Sequence, residues 1–125
     1  MNSSQSEFKS IISDYEKSII RIILYCVKEL PFRLGVENTV SVLRGNKSTF
    51  NIDHDLNELD TFSVLSTFSK DELSTIVEIL IQTGLLDVEN ISDDEDLPVL
   101  NLSSSGNRYL SGNAYTNIII LDHII

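Results

Sequence analysis

The chain is predicted to be a mostly helical α+β domain, and three features predict it. The first is an amphipathic helix over 70–83. Ser69 and Glu72 have capping-box spacing, in which the Ser oxygen accepts a first-turn N–H and the Glu reaches back to the cap. Leu73, Ile76, Val77, Leu80 and Ile81 then recur at helical spacing as one buried stripe, and Gly84 suits a left-handed stop. The second is a pair of short apolar runs, Leu85–Val88 and Leu97–Leu102, flanking the polar stretch ENISDDED, which reads as a hairpin. The third is a set of helical patterns upstream of both. Helices followed by strand, loop and strand make a winged helix-turn-helix with a two- or three-stranded β wing.

Taken in order, residues 1–12 are Ser-rich and weakly patterned and read as a flexible leader. Ser13 and Glu16 repeat the capping-box spacing. Tyr15, Ile19, Ile22, Ile23, Cys26, Val27 and Leu30 then mark one face of a helix that ends before Pro31. Lys17, Arg21 and Lys28 lie on its other faces and read as solvated. Pro31–Gly35 is a turn. A short helix, about Val36–Leu43, buries Val36, Val40 and Leu43 and stops at Gly45. Asn46–Asp55 reads as a polar loop, and Leu56–Leu65 as a helix or helical turn through Leu56, Leu59 and Phe62. After the hairpin, Ser103–Gly112 forms a last short helix carrying Tyr109 and Leu110. The domain therefore spans residues 13–112. An apolar tail, 113–125, contains the continuous run Ile118–Leu121, suited to a buried strand or an intermolecular contact.

At 125 residues, with 42% hydrophobic side chains, the chain is long enough for one domain with a real core. It has no apolar run long enough to span a membrane. The opening MNSSQSEFKS shows no basic-then-apolar signal pattern, so a cytoplasmic location is expected, or a nuclear one in a eukaryote. The net charge of −10 is unevenly spread. Residues 1–50 hold seven Lys/Arg against five Asp/Glu, whereas residues 51–100 hold one Lys against thirteen Asp/Glu. The first half suits a phosphate partner and the second repels one in bulk.

Catalytic signatures are missing. There is no phosphate-cradling GxxxxGK[ST], and no serine stands in a nucleophile elbow. One cysteine and two distant histidines give no zinc framework, and Cys26, on an apolar stripe, reads as an inert buried thiol. His54 among Asp53, Asp55 and Glu58 reads as a solvated loop rather than a metal site. Asp93–Asp96 lacks calcium-loop spacing. No enzyme activity, cofactor or metal is expected.

Three blocks resemble the RQC domain, the winged-helix module of RecQ-family DNA helicases. VLRGNKS (42–48) is similar to the family's turn after its second helix. LDTFSVLSTFSKDEL (59–73) resembles L-S-T-[FY]-G-x-G-x-x-L-S-x-x-[ED]-W. PVLNLSSSGNRYLSG (98–112) is similar to P-V-L-x-L-T-x-x-G-x-x-x-L-x-G. The likeness covers about residues 15–112. The departures are specific: the family's two glycines are Ser63 and Leu65, its tryptophan is Leu73, and the family's motor motifs and zinc-binding segment are missing from this sequence. Family members that separate strands tend to carry an aromatic wedge and cations at the hairpin tip, where this chain has Asp93, Asp94, Glu95 and Asp96.

The resemblance implies a non-catalytic module that binds the backbone of duplex or forked DNA in repair or replication. Mapped onto this sequence, the contact residues are Ser69 and Lys70, with Arg33, Arg44, Asn46 and Lys47. A helix N-terminus presents free N–H groups to phosphate, and Arg or Lys add charge-assisted contacts. Lys70 is the only cation between residues 51 and 100, and it stands in a first turn, where it opposes the helix dipole. The outward face of that helix (Asp71, Ser74, Thr75, Glu78, Gln82) carries two carboxylates, so binding would be weak and structure-directed. The competing expectation is an acidic protein-interaction or regulatory module, with a protein partner or a second copy engaging the wing or residues 114–125.

Overall fold

The computed structural model describes the backbone of residues 3–90 and 98–112, with side chains from residue 13 onward. Five helices and one hairpin are built from them: α1 (Ser3–Glu29), α2 (Val36–Arg44), α3 (Thr49–Asp53), α4 (Lys70–Gln82), β1 (Leu86–Asn90), β2 (Pro98–Leu102) and α5 (Ser104–Ser111). A single 3₁₀ turn, Leu56–Glu58, precedes the loop into α4. This is the expected winged-helix α+β fold. The wing tip Asp93–Asp96 and the tail 113–125 lie outside the described residues.

Helix α4 forms as its pattern predicts. Ser69 Oγ accepts the Glu72 N–H, and Glu72 Oε1 accepts the Ser69 N–H at 2.8 Å, closing the capping box. At its far end Gly84, at φ 83°, lets the Leu85 N–H reach the Leu80 carbonyl and the Gly84 N–H reach that of Ile81. Leu80 and Leu85 are both buried and close this stop with an apolar contact. Leu73, Ile76, Val77 and Leu80 face a single core that also takes in Ile19, Ile20, Ile23 and Leu24 of α1, Val40 and Leu43 of α2, and Leu56.

Several expectations are corrected. Helix α1 begins at Ser3, and Ser13 lies in its interior rather than at a cap. Phe8, Ile11, Ile12 and Tyr15 continue the helical spacing upstream, so the apolar period outweighs the capping signal. Tyr15 is exposed, while Ile20 and Leu24 are buried, because the stripe is rotated relative to the predicted face. Arg21 is not simply solvated: its two terminal nitrogens donate to the Tyr109 and Leu110 carbonyls at 3.2 and 2.9 Å, satisfying the end of α5. The stretch 46–55 is not all loop. Ser48 caps α3 by accepting the Asn51 N–H, a start signal hidden in a polar run.

The strands pair antiparallel, with Leu86 opposite Leu102 and Val88 opposite Leu100. β1 runs two residues past its predicted end, taking in Glu89 and Asn90. Among the described residues the sheet has two strands, and the Leu34 carbonyl accepts one bond from the Leu100 N–H at 2.8 Å. Helix α5 is locked on by its first turn. Ser103 Oγ accepts the Gly106 N–H and shares its one hydrogen between the Gly84 and Leu85 carbonyls. Gly106 is there for space: a Cβ would lie 2.3 Å from the Leu85 carbonyl oxygen and 2.7 Å from Leu102 Cδ1.

Burial pushes the Cys26 thiol from 9.0 up to about 11; a hydrogen bond with Thr61 opposes this and the nearby Glu29 carboxylate adds to it. The folded state therefore favours the neutral thiol. This contribution to stability is complete below the unfolded-state value and is lost as pH rises through about 9 to about 11. Urea unfolding of wild type and Cys26→Ala across that window is expected to show the steeper decline in wild type; parallel curves would remove Cys26 from the pH dependence. Gly106→Ala is expected to lower stability by roughly 2–3 kcal/mol through overpacking, read from the urea midpoint. A change under about 0.5 kcal/mol would be inconsistent with so close an approach of α5 to Leu85.

Candidate nucleic-acid interface

The turn after α2 and the start of α4 come together because two segments dock on the end of α2. The N–H groups of Ser63 and Leu65 donate to the carbonyls of Val42 and Leu43, both at 3.0 Å; the Leu65 bond fills an acceptor that a helix end leaves open, and the Val42 carbonyl takes the Gly45 N–H as well. Gly45 closes α2 at φ 77°, and a Cβ there would lie 2.4 Å from that of Ser63. Arg44 Nε donates to the Phe68 carbonyl at 3.1 Å, one residue ahead of the α4 cap. Lys70 Nζ pairs with Glu37 Oε1 at 3.1 Å, bridging the starts of α4 and α2.

These contacts shape a shallow depression of about 260 Å³ lined by Glu37, Asn38, Ser41, Arg44, Asn46, Ser48, Phe50 and Lys70. Asn51 holds its turn side. The buried Asn51 amide donates to Ser41 Oγ at 3.1 Å and to the Asn46 carbonyl at 2.8 Å. It thereby fixes the loop that presents Asn46 and Lys47, both exposed.

The six residues picked from the sequence are not all in one place. Lys70, Arg44 and Asn46 line the depression, Ser69 caps the helix one residue before Lys70, and Lys47 follows Asn46 on the exposed turn. Arg33 stands apart. It pairs with Glu89 Oε2 at 2.7 Å, against strand β1. Sequence reasoning missed Glu37, the anion that holds Lys70, and Asn51, which orders the turn. A Ser-x-x-Asn run at a helix start was the available signal for Asn51; Glu37 carried none, since its contact is 33 residues away.

Electrostatically the depression is a small positive spot on an acidic molecule. The Lys70–Glu37 pair is exposed on both sides, and such pairs contribute about 0–1 kcal/mol, so Lys70 is easily transferred to another anion. Arg44 has five donors and uses one on Phe68. The Lys70 and Asp71 N–H groups are the first-turn donors that the capping box leaves over. The exposed side chains farther along α4 include Glu78. Among the described residues, no three His, Cys, Asp or Glu side chains are grouped to hold a metal, and no helix is long and apolar enough to cross a membrane.

With this arrangement in view, residues 16–120 match the family model of the RQC domain. The chain belongs to the RQC domain family. It is also 27% identical over 92 residues to the ATP-dependent DNA helicase RecQ of Bacillus subtilis, a match covering 74% of this chain and 15% of the helicase. The RQC domain is the winged-helix accessory module of such helicases, and the present chain corresponds to that module and a small fraction of the relative's length. The departures from the RQC pattern now have a structural meaning. Ser63, where the pattern has its first glycine, sits at φ 66°. The backbone keeps a glycine-like conformation although the residue has changed, because its N–H must reach Val42 and its Cβ side faces Gly45.

A left-handed L-residue costs about 1–2 kcal/mol, and a glycine gives part of this back as unfolded-state entropy. Ser63→Gly is therefore expected to raise stability by about 0.5–1 kcal/mol in urea unfolding. A loss of stability would mean that the Ser63 side chain makes a contact worth more than the strain.

Proposed function

We propose that this RQC domain binds the phosphate backbone of duplex or forked DNA through the depression between α2 and the start of α4, as an accessory module in repair or replication. The observation that carries this reading is the convergence of Arg44, Lys70 and the exposed Asn46–Lys47 turn beside leftover first-turn N–H groups. Lys70 lies 23 residues beyond Lys47 in sequence, and backbone contacts to the Val42 and Leu43 carbonyls bring its helix start to the turn after α2. Three cations imply few phosphate contacts, so affinity is modest and strongly salt-dependent. The logarithm of the binding constant should fall with log salt at a slope of about −2 to −3. Asp71 and Glu78 on the outward face of α4 disfavour base readout in a major groove.

A second reading, a protein-interaction module, also has support. A groove of about 880 Å³ between α1, the 60–64 turn and α5 is lined by the apolar Ile22, Tyr25, Val64 and Leu110 and by three cations, Arg21, Lys28 and Arg108, against one carboxylate, Asp60. That chemistry fits an apolar segment carrying acidic residues, from a protein partner or from residues 114–125 of a second copy.

Electrophoretic mobility of blunt and forked duplexes at low and moderate salt tests the first reading. Lys70→Ala and Arg44→Ala are each expected to weaken binding several-fold and to reduce the salt slope by about 1. An unshifted DNA band at low salt would refute the first reading. Sedimentation of the full chain beside one ending at Gly112 tests self-association, which is excluded if both are monomers at all concentrations.

A further inference from the structure

The wing tip of this chain is acidic and has no ring to insert between base pairs. The molecule does display rings elsewhere. Phe32, in the turn before α2, and Phe50, on α3, are 40% and 37% exposed, although phenylalanines are ordinarily buried. They meet edge-on, with centroids 6.3 Å apart. His54, also exposed, packs against both, 5.3 Å from Phe32 and 4.5 Å from Phe50. Its Nδ1–H donates to the Phe50 carbonyl at 2.9 Å, which orients the imidazole on α3's last turn.

This cluster adjoins the depression described above. Phe50 lines the same 260 Å³ hollow as Arg44, Asn46 and Lys70. We propose that Phe32, Phe50 and His54 form a stacking platform for an unpaired base at a duplex end or fork, beside the cations that hold the neighbouring phosphate. The proposal rests on the phosphate-binding reading of that hollow and adds the class of DNA that the site prefers.

Three arguments favour a nucleobase as the occupant. The rings continue directly from the cationic hollow, so one nucleotide can place its phosphate on Arg44 or Lys70 and its base on Phe50. Asp53 at the end of α3 and Asp55 and Glu58 after it, all exposed, repel a phosphate, which leaves the rings for the uncharged face of a base. Three rings also make a patch far smaller than the roughly 800 Å² that each side of a stable protein interface buries.

The test uses the full chain and a fork carrying 2-aminopurine at the first unpaired position, with a blunt duplex of the same sequence. The wild type is expected to quench the probe and to bind the fork more tightly than the blunt duplex. Phe32→Ala should lower fork affinity about tenfold, the order expected for one stacked base, and leave blunt-duplex affinity within about twofold; Phe50→Ala should lower fork affinity at least as much, since its ring also lines the phosphate hollow. Phe50→Trp should keep the preference and the quenching. Circular dichroism of each variant verifies the fold, and both phenylalanines are exposed enough for substitution. If the wild type binds DNA without quenching or without fork preference, the platform is wrong and the phosphate site stands. The same holds if Phe32→Ala weakens blunt and forked DNA equally, or if it only disperses a self-associated form. If the wild type binds neither DNA, both readings fall together.

Discussion

The position of everything functional in this domain depends on how the end of α2 is satisfied. A helix leaves its last carbonyls without partners, and burying them unpaired is costly. Here the Leu65 N–H fills that of Leu43, the Ser63 N–H joins Gly45 on that of Val42, and Arg44 donates to the Phe68 carbonyl just before α4 starts. Three backbone positions in the connecting loop are thereby fixed against α2. The start of α4 then has little freedom, and Lys70 comes to rest within reach of Glu37. Gly45 and the left-handed Ser63 are the two places where this docking constrains the chain locally, and they face each other.

That arrangement explains which parts of the molecule were legible in the sequence. Helix α4, its capping box and its glycine stop depend on contacts within a few residues, so the pattern of Ser69, Glu72, the apolar stripe and Gly84 was enough. The hairpin and α5 were legible for the same reason. Helix α3 was not, because five residues in a polar run offer no apolar period and only Ser48 as a cap. The face of α1 was partly misread, since a helix buried against several elements shows apolar residues on more than one side. Ile20 and Leu24 are buried beside Ile19 and Ile23, and periodicity alone cannot centre so wide a stripe.

The site was half legible. Family likeness picked out residues on the two segments that converge, but it could not report their partners. Arg33 stands on the wing side, tied to Glu89, because the turn after α1 leads toward β2 through the Leu34–Leu100 bond. The roles of Glu37 and Asn51 arise only from tertiary contact. So does the aromatic cluster: Phe32, Phe50 and His54 are spread over 23 positions and follow no periodicity.

Charge then limits how a nucleic acid can lie on this surface. A net of −10 does not forbid binding, since at physiological ionic strength a phosphate feels charges mainly within about 8 Å. The cations of the candidate site stand in the first turn of α4 and at or just after the end of α2, whereas Asp71 and Glu78 lie on the outward face of α4. A duplex laid along that helix would carry its phosphates from a favourable spot into an unfavourable one. A DNA end, or a junction, needs only the favourable spot. On this reading the acidic face of α4 helps set the preference, because it penalises long duplex contact, and the rings beside Lys70 and Arg44 offer the surface that a broken stack requires. Specificity for structure over sequence then follows from a small attractive site in repulsive surroundings.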